Sequence, residues 1–257
     1  MRDTRDMLLV LLSSLLMLTG CSRRDILDDY PVSGVEISLD WNGVTNKLPE
    51  GVRVIFYPKN AEGRKIDTYL SVKGGKVKVP PGRYSVVVYN YDTETVQIRG
   101  EEAYETIEAF TGHCNGLGIA GTEQLVWGPD PLYVVRIDDL KIENSEEELQ
   151  LNWKPKLVVK TYSFKLKVQG LEYVSSIVGS IEGMSSCYDL GLGCGKAGDS
   201  PIYFAARGSA GEVTGSFTVF GTSEGVISRA GNAIKLTLAF VKTDNKVQKM
   251  EVDITEV

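Results

Sequence analysis

From Val35 onward the chain alternates between apolar and polar positions. In VEISLDW, Val35, Ile37, Leu39 and Trp41 interleave with Glu36, Ser38 and Asp40. A two-residue period of this kind predicts a strand with one buried face. VRVIFYP repeats it, and KGGKVKVPPGRYSVVVYNYD predicts two strands divided at Pro80-Pro81-Gly82. There the prolines pre-set φ and the glycine is free to turn. Short strands are expected at TVQIRG, YETIEAF and LYVVRI. Beyond the acidic stretch DDLKIENSEEELQLNWKP the alternation resumes in LVVKTYSFKLKVQG. This segment sets Val158, Tyr162, Phe164, Leu166 and Val168 against Thr161, Ser163, Lys165 and Lys167. GLEYVSSIVGSIEGM suits a strand or a short helix, since Leu171, Val174, Ile177 and Val178 fit both periods. PIYFAA, EVTGSFTVFG, NAIKLTLAFVKT and NKVQKMEVDITEV complete the series, the last two flanking Asp244-Asn245 as a hairpin. In the final segment Met250, Val252 and Ile254 alternate with Glu251, Asp253 and Thr255, a strand able either to pair in its own sheet or to receive a partner's strand. Many short strands broken by Gly and Pro predict an all-β sandwich protein.

One segment does not alternate. Met7 to Leu18 is apolar apart from Ser13 and Ser14, and it falls short of the roughly 20 residues that span a bilayer. With Arg2 and Arg5 ahead of it, the run reads as a secretory signal. It ends in Leu18-Thr19-Gly20-Cys21, which resembles a bacterial lipobox. That resemblance implies cleavage before Cys21 and acylation of the cysteine on its sulfur and its new amino group. More than one acyl chain gives stable anchoring where a single chain is marginal. The expected organisation is a signal peptide at 1–20, a lipidated tether at 21–33, a first β-sandwich domain at 34–143 and a second at 144–257.

Composition adds limits. A chain of 257 residues has room for two cores after loss of the signal. A net charge of −6 with no basic cluster argues against nucleic acid as a partner. With Cys21 set aside, Cys114, Cys187 and Cys194 remain, an odd number that cannot all pair. Cys187 and Cys194 flank a glycine-rich loop able to close a disulfide, with free thiols as the default. GLGIAG at 116–121 fits the dinucleotide spacing but lacks a strand and helix around it, and LGLGCGKAG fails the phosphate-loop pattern. His113 is the only histidine, so a two-histidine metal site within the chain is excluded and no cofactor is expected. Among 34 acidic residues no pair stands out as catalytic. Tyr89 and Tyr91 share one strand parity, so they either pack across strands or stack on a glycan.

The lipobox, CSRRDILDDYPVSGVEISLDW, LPEGVRVIFYPK, VPPGRYSVVVYNYDTE and LVWGPDPLYV together resemble an uncharacterised family of Bacteroidales lipoproteins. YSFKLKVQGLEYVSSIVGSIEGMSS is similar to fimbrial anchor and minor-subunit lipoproteins of the fimbrillin superfamily. The resemblance implies two tandem transthyretin-like (immunoglobulin-like) β-sandwich domains and no catalysis. It also implies a place at the outer membrane among fimbrial subunits, which join by strand addition. Pilins of that superfamily lose an N-terminal strand to a protease, whereas anchors keep lipid and strand. VEISLDW follows the tether closely, so the anchor is expected, with a surface glycan-binding lipoprotein as the alternative. Ser22 stands where an aspartate would retain a lipoprotein at the inner membrane, which points to the outer one.

Overall fold

The structure is a computed structural model that describes residues 33–60, 63–114, 124–145, 147–196, 200–221 and 233–255. The signal, Cys21 and the GLGIAG loop lie outside these residues. The strands run β1 (Ser33–Leu39), β2 (Gly51–Pro58), β3 (Ile66–Ser71), β4 (Gly74–Val79), β5 (Gly82–Asn90), β6 (Val96–Arg99), β7 (Glu108–Thr111), β8 (Val126–Trp127) and β9 (Tyr133–Ile142). They continue as β10 (Leu149–Trp153), β11 (Lys156–Leu157), β12 (Lys160–Lys167), β13 (Val174–Glu182), β14 (Cys187–Asp189) and β15 (Cys194–Lys196). The last four are β16 (Ile202–Ser209), β17 (Glu212–Val219), β18 (Lys235–Lys242) and β19 (Val247–Asp253). The described residues are thus nearly all β, with one 3-10 turn at Leu171–Tyr173.

The first sheet has the order β10-β1-β4-β3-β2-β5-β9-β11. Its two end strands, β10 and β11, are separated in the chain only by Lys154 and Pro155, so the sheet must curl until its edges meet. Val35, Ile37, Val54, Phe56 and Val86 fill the inside with Trp153. The expected turn is in place: β4 ends at Val79, β5 starts at Gly82, and the Tyr84 hydroxyl donates to the Pro80 carbonyl at 2.9 Å.

The alternation in β2 and β5 is overridden. Val52, Val54 and Phe56 face the inner core, while Ile55 and Tyr57 are also buried, on the reverse face. A second sheet, β15-β14-β7-β6, covers that face, with Ile107 and Leu190 packed on Val87 and Tyr89. Strands covered on both sides read as continuous apolar runs, as Val86-Val87-Val88 does.

The third sheet has the order β12-β17-β16-β13-β18-β19, and β8 pairs in parallel with β16. One face of each long strand lines a second core around Ile181, Ile202, Phe204, Val213 and Leu238. GLEYVSSIVGSIEGM resolves into the 3-10 turn followed by β13, with Ile177 and Ile181 inward. Tyr162, Phe164, Leu166 and Val168 share the expected inner face, but Val158 does not. The chain breaks between β11 and β12, which turns Val158 and Val159 into the first half's outer core.

Two segments cross between the halves. The β14–β15 hairpin leaves the second half to pair with β7, and β8 leaves the first to pair with β16. The division expected at 143/144 lies between β9 and β10, both members of the first sheet.

Candidate functional site

Among the described strands, the third sheet ends in two edges, β12 and β19. β19 pairs antiparallel with β18 from Val241↔Val247 to Lys235↔Asp253, and no described strand covers its other side. Ladder bonds fall on every second residue of such a pair. Lys242 donates to the Lys246 carbonyl at 2.8 Å and Ile254 donates to the Ile234 carbonyl at 2.9 Å, which fixes the phase. The main-chain groups of Val247, Glu251 and Asp253 therefore face away from β18, toward the open edge. Met250, Val252 and Ile254 turn inward, half-buried against the second core. They are where the sequence placed the partner-strand candidates, and here they serve the protein's own sheet. The hairpin expected at Asp244-Asn245 is formed, with Asn245 at φ 63°.

The opposite edge is β12, which among the described strands pairs with β17 alone. Its inner row, Tyr162, Phe164 and Leu166, is also only half-buried. Both walls of the core mouth are thus incompletely covered. A cleft of about 560 Å³ lies at the end of this core, lined by Val168, Leu171 and Val174 together with Phe240 and Met250. Tyr173 and Val247 on these elements stay 63% and 40% exposed. The two edges differ in chemistry. β12 carries three lysines, Lys160, Lys165 and Lys167, against one in β19. Edge lysines blunt strand pairing, so β19 is the more receptive edge. The lysine alternation was visible in the sequence, but nothing there marked β12 as an edge.

Other candidate residues fall into structural roles. Cys187 and Cys194 are free thiols, as is Cys114. They lie in one hairpin, but Cys187 stands opposite Lys196 and Cys194 opposite Asp189. A two-residue offset is the wrong register for a cross-strand bridge, so the disulfide is absent from this arrangement. Burial pushes the Cys187 thiol above its ordinary pKa, which lowers its reactivity. Lys196 bonds Glu108 at 2.7 Å and Asp189 at 3.0 Å, fixing the crossing hairpin. His113 forms an isolated bridge with Val126.

The tyrosine pair is divided. Tyr89 is 2% exposed; its hydroxyl accepts from Arg53 at 2.8 Å and donates to Glu101 at 3.0 Å. Burial drives its pKa upward. Tyr91 lies past the end of β5 and is 46% exposed, packed edge-on to Tyr69 at 5.3 Å. Both tyrosines neighbour the Arg53–Tyr69 pair on one face, but the loop that carries Glu101 covers only Tyr89, so the two form no joint exposed platform.

Three β-sheets, the first of them curled, define an all-β protein of the sandwich-like class. The chain belongs to the family described as a domain of unknown function, DUF5119, whose profile matches residues 20–205. It is 62% identical to a Bacteroides ovatus protein named as a candidate fimbrium anchoring subunit, Fim4B, over 100% of this chain and 81% of that one. The crystal structure of a candidate adhesin from Bacteroides ovatus is similar with a TM-score of 0.83 and 60% identity, over 94% of this chain and 89% of that one. The fimbrial anchor protein Mfa2 from Porphyromonas gingivalis shares the fold at a TM-score of 0.52 and 10% identity, over 87% and 82% of the two chains.

Proposed function

We propose that this protein is a non-catalytic fimbrial accessory subunit of the anchor type, held at the outer membrane by lipid on Cys21. Its fimbrial partner adds a strand at the β19 edge. The observation that carries the reading is that edge itself: main-chain groups of Val247, Glu251 and Asp253 facing outward, over an inner face already packed. Strand addition draws affinity from main-chain bonds and register from alternate side chains. The name of the Bacteroides ovatus relative supports the fimbrial role.

Glu251→Pro tests the docking edge. Proline there removes an outward N–H and leaves the β18 ladder intact, which edge strands tolerate. The variant should keep its circular dichroism and lose co-purification of pilin subunits. Normal capture by the folded variant would exclude β19 as the docking edge. For the anchor, Cys21→Ala should abolish fatty-acid labelling and move the protein to the soluble fraction; unchanged labelling would refute lipidation there.

A further inference from the structure

Any pull on the tether enters the described fold at β1, and β1 is not an edge. It lies between β10 and β4 in the first sheet. β10 flanks it in parallel, from Val35↔Leu149 to Leu39↔Trp153, and β4 flanks it antiparallel, from Ser33↔Val79 to Ser38↔Gly74. Because β1 and β10 are parallel, their starting ends lie together. The tether joins β1 at that end, at Ser33, while the chain leaves β10 at Trp153, at the opposite end, and reaches the second half through the short β11, paired with β9.

The part of the tension that reaches β10 along the chain therefore draws β1 and β10 past each other lengthwise, beside whatever the crossing pairs β14–β7 and β8–β16 carry. Ladder bonds run across the strands, so a lengthwise pull loads them together, whereas a pull from one end opens them one after another. Sliding β1 would also take Val35, Ile37 and Leu39 out of the core, where they are 0%, 1% and 8% exposed. Cross-ties reinforce the grip. Asp40 N donates to the Trp153 carbonyl at 2.8 Å, and Gln150 donates to Glu36 at 2.9 Å. Lys76 on β4 bonds Glu148, the residue before β10, at 2.7 Å, tying β4 to the entry of β10 over β1. Gly74 lets β4 approach closely: a Cβ there would stand 2.0 Å from the Ile37 carbonyl oxygen.

We propose a further function for this half of the protein: β1, gripped between β10 and β4, is a clamp that carries tension from the cell surface to the fimbria. The proposal rests on the anchor reading, in which the tether is fixed to a membrane and the second half to a fimbria.

Single-molecule pulling of the full mature chain tests it, with handles attached through peptide tags. One geometry pulls between the N-terminus and the Asn245 turn, and the other between Gly43 and Asn245. Gly43 follows β1 in an open turn, at the same end as the exit from β10, so this second pull opens the ladder from one end. Forced unfolding is set by the unfolding barrier, and the N-terminal geometry should need a force about twofold higher or more. Equal or lower force, with both tagged proteins showing the same denaturant midpoint, would overturn the clamp. The measurement uses isolated protein, so its failure leaves the fimbrial reading standing. Absence of pilin capture by the unaltered protein, with the force difference intact, would remove the fimbrial reading and leave the clamp as a mechanical property of the fold alone.

Discussion

Glu108 is a carboxylate largely withdrawn from water, 7% exposed on β7. Burial alone would raise its pKa, but hydrogen bonds from Lys196 and Arg99 outweigh that and hold it below the ordinary value of 4.5. Arg99 Nε donates to it at 2.8 Å and Lys196 Nζ at 2.7 Å. A carboxylate depressed in the folded state adds stability that is fully present above its unfolded pKa and is lost as pH falls through the folded one. Glu108→Gln should therefore lower stability at neutral pH by about 1–2 kcal/mol, kept small because Arg99 and Lys196 are partly solvated. It should also flatten the loss of denaturant midpoint below about pH 4.5. An unchanged acid limb would place that sensitivity on other carboxylates.

At the scale of elements, β19 shows why two disruptions of one strand must be read differently. Deleting the chain from Lys249 onward removes Met250, Val252 and Ile254 from the second core and uncovers Leu236, Leu238 and Phe240, which are 2%, 0% and 6% exposed. Losses of about 2–5 kcal/mol accompany removal of one large core side chain, so the truncated protein should unfold or aggregate, and its failure to capture pilins would not isolate docking. Glu251→Pro leaves the inner row and the β18 ladder in place and, besides the outward N–H, removes only an exposed ion pair to Lys235. A lower thermal midpoint for the deletion beside a near-normal one for the proline variant would separate the strand's two roles. Equal destabilisation would mean that the edge and the core cannot be uncoupled.

The whole molecule is interlocked rather than strung out. The β14–β15 hairpin supplies Leu190, 0% exposed, to the first half's outer core, and β8 joins the third sheet. Exposed Glu147 and its neighbours offer a protease a site between β9 and β10. After that cut the two fragments should stay together on size exclusion and separate only in denaturant, because β10 remains paired with β1 and the hairpin with β7. Fragments that part under native conditions would show that the crossing strands contribute little.

Local pattern alone determined a good part of this protein. Alternation placed β1, β12 and β19 and assigned their inner residues, and turn chemistry placed the bends at Pro80-Pro81-Gly82 and Asp244-Asn245. These follow from backbone geometry within a few residues. Tertiary structure decided the rest. β8, β11, β14 and β15 span two or three residues each, too short to show a period, and exist because a distant strand pairs with them. β2 and β5 hide their period because a second sheet covers the reverse face. Whether Tyr89 or Tyr91 meets water, and whether Cys187 stands opposite Cys194, depends on layers and registers that no single segment encodes. β1 reads as an ordinary half-buried strand, and only its parallel partner, from Leu149 to Trp153, makes it a clamp. A strand's own residues fix which face it buries; what lies beside it is fixed by where the rest of the chain can close its core.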